Sequence, residues 1–116
     1  MKKLAVIALG GNALLRDNQY GTIEEQEQNT KDTLENIVYL LRDDYNLILT
    51  HGNGPQVGNI LMQNDAGESL YNIAQMPLDI CVADSQGSIG YMVARILRNV
   101  LKDKHMQREV ISFVSQ

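Results

Sequence analysis

The sequence predicts an α/β domain organised on a parallel sheet. Three observations carry that prediction. Two short apolar runs, Leu4–Leu9 and Asn46–Thr50, each end abruptly in a glycine-asparagine loop, Gly10-Gly11-Asn12 and His51-Gly52-Asn53-Gly54. Between them lies a stretch with helical periodicity, which makes a strand–helix–strand unit whose strands should be parallel with a right-handed crossover. A second, longer helical pattern follows from about Leu78 to Asp103, as the alternating layers of an α/β fold require.

The chain of 116 residues is long enough for one modest core. At 44% apolar and 21% charged it has the composition of a globular protein. Its formal net charge of −4 argues against a nucleic-acid partner held through phosphates, which needs a basic face. Cys81 is the sole cysteine, so there is neither an internal disulfide nor a cysteine-based zinc cluster, and a reducing compartment or a buried structural thiol fits. Lys2-Lys3 before an apolar run imitates a signal peptide, but the run ends at Leu9, too soon for an h-region. No stretch approaches a transmembrane length.

The first strand, Leu4–Leu9, is short and rich in branched residues, as a strand covered on both faces should be. Its two terminal glycines let the backbone bend sharply and approach a ligand. Thr22-Ile23-Glu24-Glu25 reads as a capping box that opens a helix running to about Asp43. Leu34, Ile37, Val38 and Leu41 form the apolar stripe of that helix, and its polar first turns are expected to be wet. After the second strand, Gly54 can be the N-cap and Pro55 the first residue of a helix ending near Gly67, with Val57, Ile60 and Leu61 buried.

In the long helix Ile89, Val93, Ile96 and Val100 line one side. A second stripe of small residues, Ala83, Gly87, Gly90 and Ala94, admits a close backbone neighbour, either in tight packing or at a subunit interface or ligand wall. Glu109–Ser115 reads as a third strand. A three-stranded parallel sheet leaves an edge that normally needs covering, so association with another chain is expected.

Ligands of open parallel sheets sit beyond the carboxyl ends of the strands, where both glycine loops fall. Unpaired main-chain amides there, and the positive end of a helix, suit phosphate or carboxylate. The pattern is neither a Walker A loop nor a dinucleotide fingerprint. Each asparagine has an alternative role as a turn residue bonded to its own backbone. His51 is either a general base or an orienting residue for its loop, and Cys81 either a buried inert thiol or a nucleophile.

Two motifs carry a family resemblance. Ala8-Leu9-Gly10-Gly11-Asn12-Ala13-Leu14 and Thr50-His51-Gly52-Asn53-Gly54-Pro55-Gln56-Val57-Gly58-Asn59 resemble the carbamate kinases of the amino-acid kinase family. Met76-Pro77-Leu78-Asp79, Ser85-Gln86-Gly87 and Ile89-Gly90-Tyr91-Met92 match as well, and the likeness runs through residues 1–116. The resemblance implies a three-layer α/β/α sandwich with a mainly parallel sheet. It implies a cytoplasmic homodimer that transfers a phosphoryl group reversibly between ATP and carbamate with Mg2+, running from carbamoyl phosphate towards ATP in arginine breakdown. It also places Gly10, Gly11, Asn12, Gly52, Asn53 and Gly54 around the carbamate and the transferred phosphoryl group. Their amides would stabilise charge without covalent chemistry.

Positive charge is missing from this picture. No Lys or Arg occurs between Asp43 and Ala94. Lys3 lies at the far end of the first strand, roughly 20 Å from Gly10, which leaves Arg16 as the cation nearest a loop in sequence. Where other amino-acid kinases carry a lysine in the first strand motif, this chain has Ala8. Carbamate kinases take their lysines from later segments. Residues 1–116 are therefore expected to form the substrate-side part of a larger domain, without the nucleotide-binding part, without a catalytic or metal-ligating residue, and without kinase activity alone. The alternative is a non-catalytic module of the same fold that binds an anion or a partner.

Overall fold

The computed structural model describes residues 1–116 as two compact units. The first comprises Met1–Gly52 and Met92–Ile111, the second Asn53–Tyr91 and Ser112–Gln116. The elements, in chain order, are strand β1 (Lys3–Leu9), a one-turn helix α1 (Gly11–Leu14), α2 (Ile23–Ile37) continued by a 3-10 turn (Val38–Leu41), strand β2 (Tyr45–His51), α3 (Gly54–Tyr71) and α4 (Leu78–Asp103). This is the mixed helix and parallel-sheet class that the sequence predicts.

In the first unit β1 and β2 pair in parallel, from Lys3 opposite Tyr45 to Leu9 opposite His51. A left-handed residue, Asp44 (φ 66°), delivers the chain into β2. Just beyond the ladder, the Lys3 amide donates to the Asp44 carbonyl at 3.1 Å. Accessibility alternates with the period of two that strand geometry imposes. Ala5, Ile7, Leu9, Leu47 and Leu49 point to the more buried side, whereas Leu4, Val6 and Ile48 are exposed. The expectation that both strand faces are covered is thus corrected, because the elements of this unit bury one face of the sheet.

The capping box forms with one change of partner. Thr22 Oγ1 accepts the Glu25 amide at 3.2 Å, but the Glu25 carboxylate reaches one residue further back, accepting from the Gly21 amide at 3.0 Å. The first turns of α2 are not uniformly wet. Gln26, Asn29 and Thr30 are buried, and Gln26 donates from Nε2 to the Gly21 carbonyl at 3.0 Å. Glu27 forms an ion pair with Arg95. The regular helix ends at Ile37, before the expected Asp43, and tightens into the 3-10 turn so that Val38 and Leu41 stay inside with Leu34. The C-terminal half of α4 completes this core with Met92, Val93, Ile96, Leu97, Val100 and Leu101.

The expected third strand does not form, and the sheet has two strands. Residues 107–116 are held by side chain to main chain bonds instead of a ladder. Within the first unit, Arg98 Nη2 donates to the Val110 carbonyl at 2.6 Å and Arg108 Nη2 to the Leu41 carbonyl at 2.9 Å. Within the second, the Ser115 amide donates to Gln86 Oε1 at 2.8 Å, and Gln86 Nε2 returns a bond to the Ser115 carbonyl at 3.1 Å.

The second unit has little apolar core. Cys81 and Ile89 of α4 are buried, but α3 has no buried residue, so the expected burial of Val57, Ile60 and Leu61 is corrected. The helix also runs past Gly67 to Tyr71, ending on left-handed Asn72 (φ 55°). Polar contacts hold it: Asn64 Oδ1 accepts the Met76 amide at 2.8 Å, and Asn64 Nδ2 donates to the Cys81 sulfur at 3.8 Å. The small-residue stripe of α4 serves close packing at Gly90. A β-carbon there would lie 3.3 Å from Ser112 Cβ, and Ser112 Oγ donates to the Gly90 carbonyl at 3.0 Å.

Candidate functional site

Within the first unit the parallel register brings the ends of the two strands together. Leu9 sits opposite His51, and the Leu9 carbonyl accepts the Gly52 amide at 3.4 Å. The loop after β1 therefore starts beside the loop after β2. Gly10 is the N-cap of α1, and Gly11 and Asn12 are its first two residues. The first amides of a helix lack an acceptor within it; in this one-turn helix the Ala13 amide is already bonded to the Gly10 carbonyl at 3.0 Å.

The reason for glycine at these positions differs from the one the sequence suggests. Gly10 has φ −72° and ψ 177°, extended backbone that any residue adopts. Gly21 is the glycine with positive φ, and it lies in a different loop. Apart from the adjoining main chain and neighbouring residues, no atom lies within 4 Å of the β-carbon position at Gly10, Gly11, Gly52 or Gly54. Neither a strained turn nor crowding by this chain requires glycine at these four positions, and each leaves room for a group to reach the main chain directly.

His51 is tied to its own loop, with Nδ1 donating to the Gly52 carbonyl at 2.9 Å. That bond fits the orienting role. Arg16, the cation nearest the first loop in sequence, lies 3.7 Å from Asp32. Lys3 at the opposite end of β1 lies 5.6 Å from the ring centre of Tyr45. Anion stabilisation by these loops would rest on main-chain amides and amide side chains.

Asn53 and Gly54 belong to the second unit. The helix start is displaced by one residue from the expected one, because Asn53 is the N-cap of α3 and Gly54 its first residue. Asn53 makes no capping bond with its side chain. Its Nδ2 donates instead to Ser85 Oγ at 2.8 Å, and Ser85 Oγ donates to the Val82 carbonyl at 2.6 Å. The alternative of an asparagine bonded to its own backbone is therefore not what Asn53 does. Ser85 is wholly buried, and its place within an apolar helix face was the sequence signal that could have marked it.

Asn29 was also missed from sequence. It is 2% exposed and donates from Nδ2 to the Leu14 carbonyl at 3.2 Å, which fixes the last turn of α1 and hence the first loop. Asp79, Asp84 and His105 are exposed. Cys81 is buried and held between Asn64 and the Met76 carbonyl, an environment for a structural thiol. No three of His, Cys, Asp and Glu come together as a metal site would require. A cavity of about 620 Å³ lies at the end of α4 between Arg98, Lys102, His105 and Arg108, and none of the six loop residues lines it. Both of its arginines are engaged with carbonyls of the fold.

The amino acid kinase family model matches residues 3–116, and the chain belongs to that family. Its similarity to carbamate kinases is extensive. The carbamate kinase of Pyrococcus horikoshii is 45% identical over 116 residues, and that of Pyrococcus furiosus 43%. In both cases the match takes in 100% of this chain and 37% of the relative, so the chain spans little more than a third of their length. The structure of a Giardia lamblia carbamate kinase bound to AMP-PNP superposes with a TM-score of 0.85 and 39% identity, over 92% of this chain and 37% of that one. The fold is thus the N-terminal portion of the amino-acid kinase fold.

Proposed function

We propose that the chain is the substrate-side part of a carbamate-kinase-type phosphotransferase, catalysing reversible phosphoryl transfer between ATP and carbamate. The observation that supports this most directly is the pairing of Leu9 with His51, with Gly52 bonded to the Leu9 carbonyl, which sets two glycine loops side by side. In this reading amides of Gly10, Gly11, Asn12 and Gly52 donate hydrogen bonds to the oxygens on which charge develops in the transferred group, and Asn53 and Gly54 supply further donors. Such preorganised donors lower the barrier without forming a covalent bond. Mg2+ with ATP or ADP belongs, in this proposal, to segments found in the longer relatives, as do the lysines.

The reading extends to a homodimer and to a cytoplasmic location. No helix is long and apolar enough to cross a membrane. The absence of Lys and Arg between Asp43 and Ala94 favours a second reading for the isolated polypeptide, that it binds a small anion or a partner without turnover. Two measurements test the proposal. Carbamoyl phosphate titrated into the 15N-labelled chain should shift the amides of residues 10–12 and 52–54, and a spectrum unchanged at millimolar ligand would overturn the reading. ATP and carbamate supplied to the pure chain should give no ADP, and sustained turnover would show that the chemistry needs no further segment.

A further inference from the structure

We infer that Ser85 is a positioning residue for Asn53, turning its side chain away from the helix it would ordinarily cap. This deepens the carbamate-kinase reading and rests on it. An asparagine at an N-cap normally accepts, through its side-chain oxygen, an amide from the first turn of its own helix. Asn53 occupies that position with φ −149° and ψ 12°, yet makes no such bond. Its amide group is committed to Ser85, 32 residues further along the chain.

The donor and acceptor inventory fixes the sense of this arrangement. A serine hydroxyl has one proton, and that proton goes to the Val82 carbonyl at 2.6 Å. Towards Asn53 the oxygen can only accept, so Nδ2 must face Ser85 and Oδ1 must face away from it. Ser85 is wholly buried, and its hydroxyl is anchored on the helix that carries it, so it is a rigid reference point. Two results follow for the loop. The amide end of α3 is not closed by its own N-cap side chain, and the Asn53 amide holds a single orientation with one N–H still to offer an anion. Adjacent Gln86 clasps the main chain of Ser115 in the same way, so neighbouring residues of the Ser85-Gln86-Gly87 motif each fasten a different segment of the second unit to α4.

The test uses the 116-residue chain, carbamoyl phosphate and inorganic phosphate as probes, and the variants S85A, N53A and S85A/N53A. In the unsubstituted chain the Asn53 side-chain amide should show a nuclear Overhauser contact to the Ser85 β-protons, and carbamoyl phosphate should shift its resonance. S85A should move that resonance in the absence of ligand and weaken carbamoyl phosphate binding about fivefold, the worth of one hydrogen bond. The double variant should bind no more weakly than N53A, because Ser85 acts only through Asn53. If S85A binds as the unsubstituted chain does, or if its loss adds in full to that of N53A, the inference is overturned while the functional reading stands. Should the unsubstituted chain bind neither probe, the functional reading fails, and with it a ligand role for Ser85. Should S85A not fold, the Overhauser contact decides in the unsubstituted chain, where its absence overturns the proposal.

Discussion

Asn29 reaches fifteen residues back along the chain and donates from Nδ2 to the carbonyl of Leu14 at 3.2 Å. Its Oδ1 meanwhile accepts from Gln19 Nε2, 3.4 Å away. One buried amide therefore holds both the last turn of α1 and the loop that follows it. Replacing Asn29 with alanine strands the Leu14 carbonyl in a dry site, which costs about 1–3 kcal/mol. Urea unfolding of Asn29→Ala should show that loss with an unchanged slope, and amides of residues 14–21 should exchange faster. A variant as stable as the unsubstituted chain would show that water replaces the bond without cost.

Gly10→Ala and Gly11→Ala separate binding from folding. Both positions have backbone angles open to alanine and, apart from the adjoining main chain and neighbouring residues, no atom within 4 Å of the new methyl group. Stability should stay within about 1 kcal/mol, with Gly11→Ala the more favourable because that residue is helical. The titration with carbamoyl phosphate should nevertheless weaken. Full retention of affinity in both variants would remove these two residues from the proposed site.

Two glycines of α4 make an internal control. Apart from the adjoining main chain and neighbouring residues, nothing lies within 4 Å of a β-carbon at Gly87, so Gly87→Ala should stabilise the helix by about 0.5–1 kcal/mol. At Gly90 the same methyl group would lie 3.3 Å from Ser112 Cβ. Gly90→Ala should gain less stability than Gly87→Ala and should loosen residues 112–115, visible as faster exchange of the Ser115 amide. Equal stabilisation by both would show that the approach of Ser112 carries no cost.

Cys81 offers a probe of the second unit. It is wholly buried, while the helix packed beside it in sequence, α3, contributes no buried residue. Few apolar contacts mean a low free energy of local opening. In dilute urea, modification of Cys81 by a disulfide reagent should begin before the far-ultraviolet signal of the whole chain changes. Modification that tracks global unfolding would indicate a single cooperative unit. Asn64→Ala, which removes the bonds to Met76 and Cys81, should accelerate the reaction further.

The sequence disclosed the elements whose signals are local and periodic. The long helix from Leu78 to Asp103 shows its apolar stripe from Ile89 to Val100, and its limits agree with the structure. The parallel pairing followed from the strand–helix–strand spacing. What failed depended on distant partners. Glu109–Ser115 alternates like a strand, but its main chain is bonded by Arg98 at Val110 and by Gln86 at Ser115, and no run of residues reveals that competition. The helix from Gly54 carries apolar residues at suitable spacing, yet its second unit lacks a core to receive them. At the loops, residue type was readable and orientation was not. That Asn53 turns to Ser85 depends on a residue in another helix, and that Gly10 has ordinary backbone angles depends on how α1 begins.

The open side of the two-stranded sheet has a practical consequence. Leu4, Val6 and Ile48 form a greasy patch, with Val6 directly opposite Ile48, bordered by main-chain groups that no third strand engages. Such a surface is sticky towards detergents, dyes and other copies of itself. Melting curves recorded at different dilutions should therefore fail to superimpose, and a charged substitution at Val6 should make the polypeptide easier to concentrate.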